Sequence, residues 1–218
     1  MSRPFHSLAG PGAIALSLAI ALPPCHGQEA SDTPTLPLPV ITTENIQIPD
    51  WPPERPMANS MRAWHYNPAL VMPMVRIGEA VQSPILDYDL QMMLAAVVSS
   101  RNGCRYCLCT PVGVLNADGQ ADSLVLELQG DIVGSSLTPK VKAVLLLAEQ
   151  LTVRPTQTGE YVREAIDADW TYEEIAQVIF FVSYMNMMNR IAQAFRLPPD
   201  HWHPYDTDST LPMLRCGN

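Results

Sequence analysis

The chain is 218 residues long, 47% hydrophobic and 16% charged, with 21 prolines and a net charge of −9. That length suits one domain of ordinary size with extensions, and the apolar share is enough for a real core. The acidic balance argues against a nucleic-acid partner, because binding a polyanion needs a basic footprint.

Residues 1–27 read as a secretory signal. Arg3 is their only charged side chain, an apolar run covers 13–22, and Pro23-Pro24-Cys25-His26-Gly27 offers small residues where a signal peptidase cuts. The run is about half of what a membrane-spanning helix needs. Cleavage after Gly27 is expected, leaving a periplasmic or secreted protein with no membrane segment. Cys104, Cys107, Cys109 and Cys216 would then lie in an oxidising compartment. Retention of the run as an anchor and lipid attachment at Cys25 are the alternatives, the second opposed by Pro23 and Pro24.

Residues 28–56 carry Pro34, Pro37, Pro39, Pro49, Pro52, Pro53 and Pro56 without helical or strand periodicity, the pattern of a linker or arm. A plain tether is the simplest reading. Leu36, Leu38, Val40, Ile46, Ile48 and Trp51 are nevertheless apolar enough to dock on the domain or on a second subunit.

From residue 57 helical periods persist to about 196 with no alternating strand, so the domain over 57–218 is predicted to be all-α. Met61 to Tyr66 begins a first segment. A second helix starts with Pro68 at its first position and has Pro73 early in it, and a very apolar third spans Leu86 to Ser99. Ala121 to Val133 gives an amphipathic segment. Thr138-Pro139 is a strong start signal for a helix through Leu151, Thr158 recaps the chain after Pro155, and Thr171 with Glu174 matches a capping box. That box launches the longest helix, to about Arg196. Its middle, Val178 to Met188, is apolar nearly all round, so this helix is expected at the centre of the bundle, with its polar residues needing partners.

Between the third segment and Pro111 lies the chemistry-bearing stretch, Ser99-Ser100-Arg101-Asn102-Gly103-Cys104-Arg105-Tyr106-Cys107. C-x-x-C is the minimum spacing that lets two thiols on one helical turn exchange electrons as dithiol and disulfide. Asn102 is the expected N-cap and Gly103 relaxes the turn, which puts Cys104 in the first turn, where free amide N–H groups and the helix dipole favour a thiolate. At about 100° per residue Cys104 and Cys107 share a face while Cys109 is turned away, so Cys109 is not part of that pair. Pro111 is expected to stop or kink the helix near Thr110.

A static disulfide and half of a zinc site share this spacing. No second C-x-x-C and no H-x-x-x-H follows to complete a tetrahedral metal site, so no metal is expected. In the tail, His201-Trp202-His203 suits groove packing better than metal ligation, and Cys216 is either a free thiol or the partner of Cys109.

The run Asn102-Gly103-Cys104-Arg105-Tyr106-Cys107 after an apolar helix resembles the AhpD-like group of the carboxymuconolactone decarboxylase superfamily. The likeness continues through Lys140-Val141-Lys142-Ala143, Leu147-Ala148-Glu149-Gln150-Leu151-Thr152, Pro155, Glu173-Glu174-Ile175 and Asn186-Met187-Met188-Asn189-Arg190-Ile191-Ala192, covering roughly Trp64 to Leu197. The resemblance implies an all-helical homo-oligomer. It also implies a thiol peroxidase or thiol-disulfide oxidoreductase that needs no cofactor and acts on a small hydroperoxide or on a protein dithiol or disulfide. Cys107 would attack and Cys104 would resolve the sulfenic acid. The family's relay of a glutamate before the first cysteine and a histidine after the second falls on Met92 and Pro111, so both relay groups are missing. Asp89, on about the face of Met92, and His65 are substitute bases only if the fold brings them to the pair.

Three readings compete. The first is an exported thiol-disulfide enzyme, weak as a peroxidase for want of a base. Another is a non-catalytic relative with a static Cys104–Cys107 disulfide, and the third is a decarboxylase-type acid/base enzyme, against which the cysteine pair itself argues. Asn186, Asn189 and Arg190 on the long helix are read as packing residues that bond to loops rather than as a polar site.

Overall fold

The computed structural model describes residues 35–200, apart from 43, 53, 117–123, 125, 126 and 129. The signal region, Cys25, the start and part of the middle of the 121–133 segment, the His201-Trp202-His203 stretch and Cys216 lie outside the described residues.

Seven α-helices and no strand occur among the described residues: α1 (Asn59–Trp64), α2 (Pro68–Val81), α3 (Tyr88–Arg101), α4 (Arg105–Asn116), α5 (Pro139–Val153), α6 (Gly159–Asp167) and α7 (Tyr172–Phe195). The all-α expectation holds, and most helix starts have their predicted chemistry. Pro68 and Pro139 stand at the head of α2 and α5, and the Thr138 hydroxyl accepts from the Val141 N–H at 3.3 Å. At α7 Thr171 and Glu174 form both arms of the capping box, answering two amide groups that the helix leaves free. Thr158 is an exception, since it makes no cap and its hydroxyl donates to the Pro155 carbonyl instead.

Helix α7 packs against every other described α-helix, as its expected central place requires, but α3 is the more deeply buried. Ten of the fourteen residues of α3 are buried, and it packs against α4, α5 and α7. Its small side chains Ala95, Ala96, Ser99 and Ser100 let neighbouring helices approach closely, whereas α7 leaves Phe180 63% exposed. The helix that meets all the others is therefore not the most buried one.

Of the stop or kink expected near Thr110 the stop is not found, because helix α4 continues through Pro111 to Asn116. An interior proline costs about 3 kcal/mol. Leu108, Val112 and Leu115 are buried in the main core, and burying each such side chain contributes roughly 1.5–3 kcal/mol, so packing outweighs the lost hydrogen bond. Because Pro111 has no N–H, the Cys107 carbonyl receives no helical donor from it.

The proline-rich arm is docked, so the tether reading is corrected. The Thr35 N–H donates to the Phe195 carbonyl at 2.8 Å, the Tyr66 hydroxyl donates to the Pro37 carbonyl, and Arg62 Nε donates to the Pro39 carbonyl at 3.2 Å. No described helix is long and apolar enough to cross a membrane.

Candidate active site

The cysteine pair sits where α3 turns directly into α4. Two bonds close α3: the Gly103 N–H donates to the Ser100 carbonyl at 3.0 Å and the Cys104 N–H to the Ser99 carbonyl at 2.8 Å. Gly103 has φ +64°, the left-handed conformation that this kind of helix end requires and that glycine adopts without steric cost. The Leu108 N–H then donates to the Cys104 carbonyl at 3.0 Å, and the Cys107 N–H points to Cys104 Sγ at 3.4 Å. Cys104 therefore ends one helix and caps the next with its own sulfur. Asn102 is not the N-cap foreseen from its residue type, because no loop separates the helices to hold one; it is the last residue of the α3 end.

Freed from capping, the Asn102 side chain reaches α7. Its Nδ2 donates to Asn186 Oδ1 at 3.0 Å and Asn189 Oδ1 at 2.9 Å, and the Asn102 backbone carbonyl accepts from Gln193 Nε2 at 2.6 Å. Asn189 is fully buried and donates to the Ser99 hydroxyl at 3.3 Å, while Asn186 donates to the Thr152 hydroxyl at 3.1 Å and accepts from Arg190. These α7 amides thus hold the cysteine turn, which agrees with their reading as packing residues. On the other side Arg101 Nε meets Glu149 Oε1 at 2.7 Å, tying the end of α3 to α5.

Cys104 Sγ and Cys107 Sγ lie 2.7 Å apart, against about 2.05 Å in a disulfide, so bond formation needs a shift of well under 1 Å. Cys104 is 2% exposed and Cys107 is more open. The bond from the Cys107 thiol holds Cys104 below the ordinary thiol range, against the opposing effect of burial and helped by the Cys107 N–H. Cys107 is pushed far up by that same bond, by burial and by the Cys104 charge, with Asn189 acting in the opposite sense. Of the two thiols Cys104 is accordingly the one that ionises first, the direction expected from helix-terminus electrostatics.

No predicted base reaches the pair. Met92 and Pro111 are buried apolar residues. Asp89 is exposed in the first turn of α3, twelve residues or about 18 Å of helix from Arg101, where the turn begins. His65 donates from Nδ1 to the Met61 carbonyl at 2.8 Å and accepts at Nε2 from the Gln47 N–H at 3.4 Å, which occupies both ring nitrogens.

Sequence reasoning missed Tyr106, between the two cysteines. Its hydroxyl donates to Asp200 Oδ2 at 2.8 Å and accepts from the Ser60 N–H at 3.1 Å, while Asp200 Oδ1 accepts from the Asn59 N–H at 2.7 Å. Burial, then the Asp200 charge, keeps the phenol well above its ordinary range. An aspartate in an irregular tail gives no sequence signal of such a contact. Cys109 is disulfide-bonded, and neither Cys104 nor Cys107 is its partner. Among the described residues no three His, Cys, Asp or Glu side chains group so as to hold a metal ion.

No protein-family model matches the chain, and no curated protein matches it by sequence. Solved structures do. A peroxidase-related protein from Silicibacter sp. TM1040, itself uncharacterised, superposes with a TM-score of 0.60 at 20% identity over 66% of this chain and 78% of its own. A protein of unknown function from Agrobacterium tumefaciens, connected by its description with AhpD antioxidant defence, gives 0.57 at 21% identity over 63% and 94%. The debrominase Bmp8, crystallised as a cysteine-to-alanine variant with 2,3,4-tribromopyrrole, gives 0.58 at 15% identity over 66% and 78%.

Proposed function

We propose that this chain, whose all-α fold is AhpD-like, is an exported thiol-disulfide oxidoreductase that cycles Cys104 and Cys107 between dithiol and disulfide. The observation that carries the reading is the capped Cys104 sulfur, which receives the Cys107 N–H and lies within easy bonding distance of its partner. In the oxidised protein an incoming thiolate attacks the more open Cys107 Sγ. The Cys104–Cys107 bond breaks, Cys104 leaves as the stabilised thiolate, and a mixed disulfide joins Cys107 to the attacker. A second thiol of the attacker then displaces Cys107, so two electrons pass from the external dithiol to the pair.

Peroxidase activity is weak in this reading. Attack on a hydroperoxide requires deprotonation of Cys107, and neither Met92 nor Pro111 can accept its proton. The signal-like start of the sequence supports export. Exposed Leu70 and Ile77 on α2 and Phe180 on α7 support assembly with further copies of the chain.

Titration of the pair in dithiothreitol redox buffers, read by mass spectrometry of alkylated thiols, tests the reading. A potential near about −200 mV is expected of a working couple, whereas one below roughly −300 mV marks a static disulfide and overturns the proposal. Cys104→Ser should trap a mixed disulfide at Cys107, and Cys107→Ser should abolish exchange.

A further inference from the structure

We infer that the groove between α1 and the C-terminal end of α7 is the substrate groove of the cysteine pair, that it takes an extended apolar polypeptide carrying two cysteines, and that residues 35–39 occupy it as an internal stand-in. This deepens the oxidoreductase reading and rests on it.

The arm is held in the way an extended peptide is held. Its main chain is read at alternate residues, through the Thr35 N–H to Phe195, the Pro37 carbonyl from Tyr66 and the Pro39 carbonyl from Arg62. The side chains between alternate as well, with Leu36 47% exposed and Leu38 turned inward. Leu38 packs on the small cluster of Ala63, Cys104, Ala192 and Leu197, against which Cys107 also packs. Tyr66 and Phe195 stack with ring centroids 5.8 Å apart beside it.

Recognition through main-chain groups and one inward apolar side chain tolerates many sequences. A small peroxide uses none of these features. A polypeptide lying along the same path, with an apolar residue in the place of Leu38, brings its neighbouring residues over the pair. Its thiolate attacks Cys107 Sγ, Cys104 leaves as thiolate, and a second thiol of the same polypeptide closes a disulfide while releasing Cys107. The polypeptide dithiol is oxidised and the pair is reduced, with two electrons and no other reactant.

The test uses the full chain, with Leu38→Asp to expel the arm, Thr35→Pro to delete the N–H donated to Phe195 without adding charge, and Leu36→Asp as the outward control. The probe is a fluorescent synthetic peptide of residues 35–41, followed by anisotropy, which needs no redox chemistry. A tethered arm acts at an effective concentration on the order of millimolar, so binding should tighten by about tenfold or more in Leu38→Asp and Thr35→Pro and change little in Leu36→Asp. A peptide of the same sequence extended by two cysteines should be oxidised by both arm variants faster than by the wild type, by a similar factor. Equal binding by all four proteins overturns the groove. Tighter binding without faster peptide oxidation, in a protein whose pair titrates as a working couple, overturns the substrate assignment. A static potential for the pair instead removes the oxidoreductase reading, and the binding result then stands on its own.

Discussion

The buried side chains of this molecule fall into two clusters of different make. The larger is built from the inward faces of helices, with Leu94, Val97 and Val98 of α3 meeting Val144, Leu145 and Leu147 of α5 and Val178 and Val182 of α7, all of them essentially without exposure. The smaller holds Cys104. Its other members come singly, Ala63 from α1, Ala192 from α7 and Leu197 from the chain beyond, with Leu38 of the arm packed on top. Helix faces with regular spacing bury much apolar area for each residue ordered, while single side chains from separate segments bury little. The larger cluster should therefore open only with global unfolding, and the smaller one locally and more cheaply. The cysteine pair therefore lies in the part of the core that opens without loss of the fold.

Substitutions can set the two regions against each other. Leu145→Ala in the larger cluster should cost about 2–5 kcal/mol in urea unfolding, since a fully buried leucine leaves a cavity, while the folded fraction keeps its thiol reactivity. A drop in stability accompanied by a change in Cys107 alkylation rate would show that the regions are coupled. Gly103→Ala comes next. Nothing lies within 4 Å of the added methyl group, so the cost comes from the left-handed backbone alone, about 1–2 kcal/mol, and because this turn places Cys104 the pair's reduction potential should move with it. An unchanged potential would separate the turn from the chemistry.

Thr171→Ala, at the far end of α7 from the cysteines, should have the smallest effect, about 1 kcal/mol of stability with no change in thiol reactivity. The cap also gives a pH signature. Bonds from the Thr171 N–H and hydroxyl hold the Glu174 carboxyl below its ordinary value of 4.5. Its contribution is complete above that value and is lost as pH falls through the lowered one, and it is modest because the group is exposed to screening solvent. Thermal melts at graded acid pH should show a shallower loss in Thr171→Ala than in the natural chain.

The helices were legible where their start signals are local: Thr138-Pro139, Thr171 with Glu174, and Pro68 all act within one turn of themselves. The deeper burial of α3 than of α7 was not, because it depends on how closely Ala95, Ala96, Ser99 and Ser100 let other helices approach, which is a property of their neighbours. At the site, the facing pair Cys104 and Cys107 and the separate course of Cys109 follow from helical angle alone. Asn102 misled because its residue type suits a cap, and only the direct junction of two helices shows that a sulfur holds that place. The docked arm and the bond from Tyr106 to Asp200 join segments far apart in sequence, for which no local pattern exists.

Three cysteines within six residues pose a problem for oxidative folding. In an unfolded chain Cys107 and Cys109 are near-equivalent partners for any oxidant or third thiol, since loop-closure entropy changes only slowly with loop length. Once α4 forms, about 200° of helical rotation separates them, and Cys109 Sγ lies 3.2 Å from the Arg105 carbonyl while Cys107 faces Cys104. Helix formation is thus what sorts the thiols, and it must precede oxidation for the pairing to come out right. The continuation of α4 through Pro111 keeps the helix anchored in the main core below the cysteines, so that the sorting survives each opening of the small cluster above.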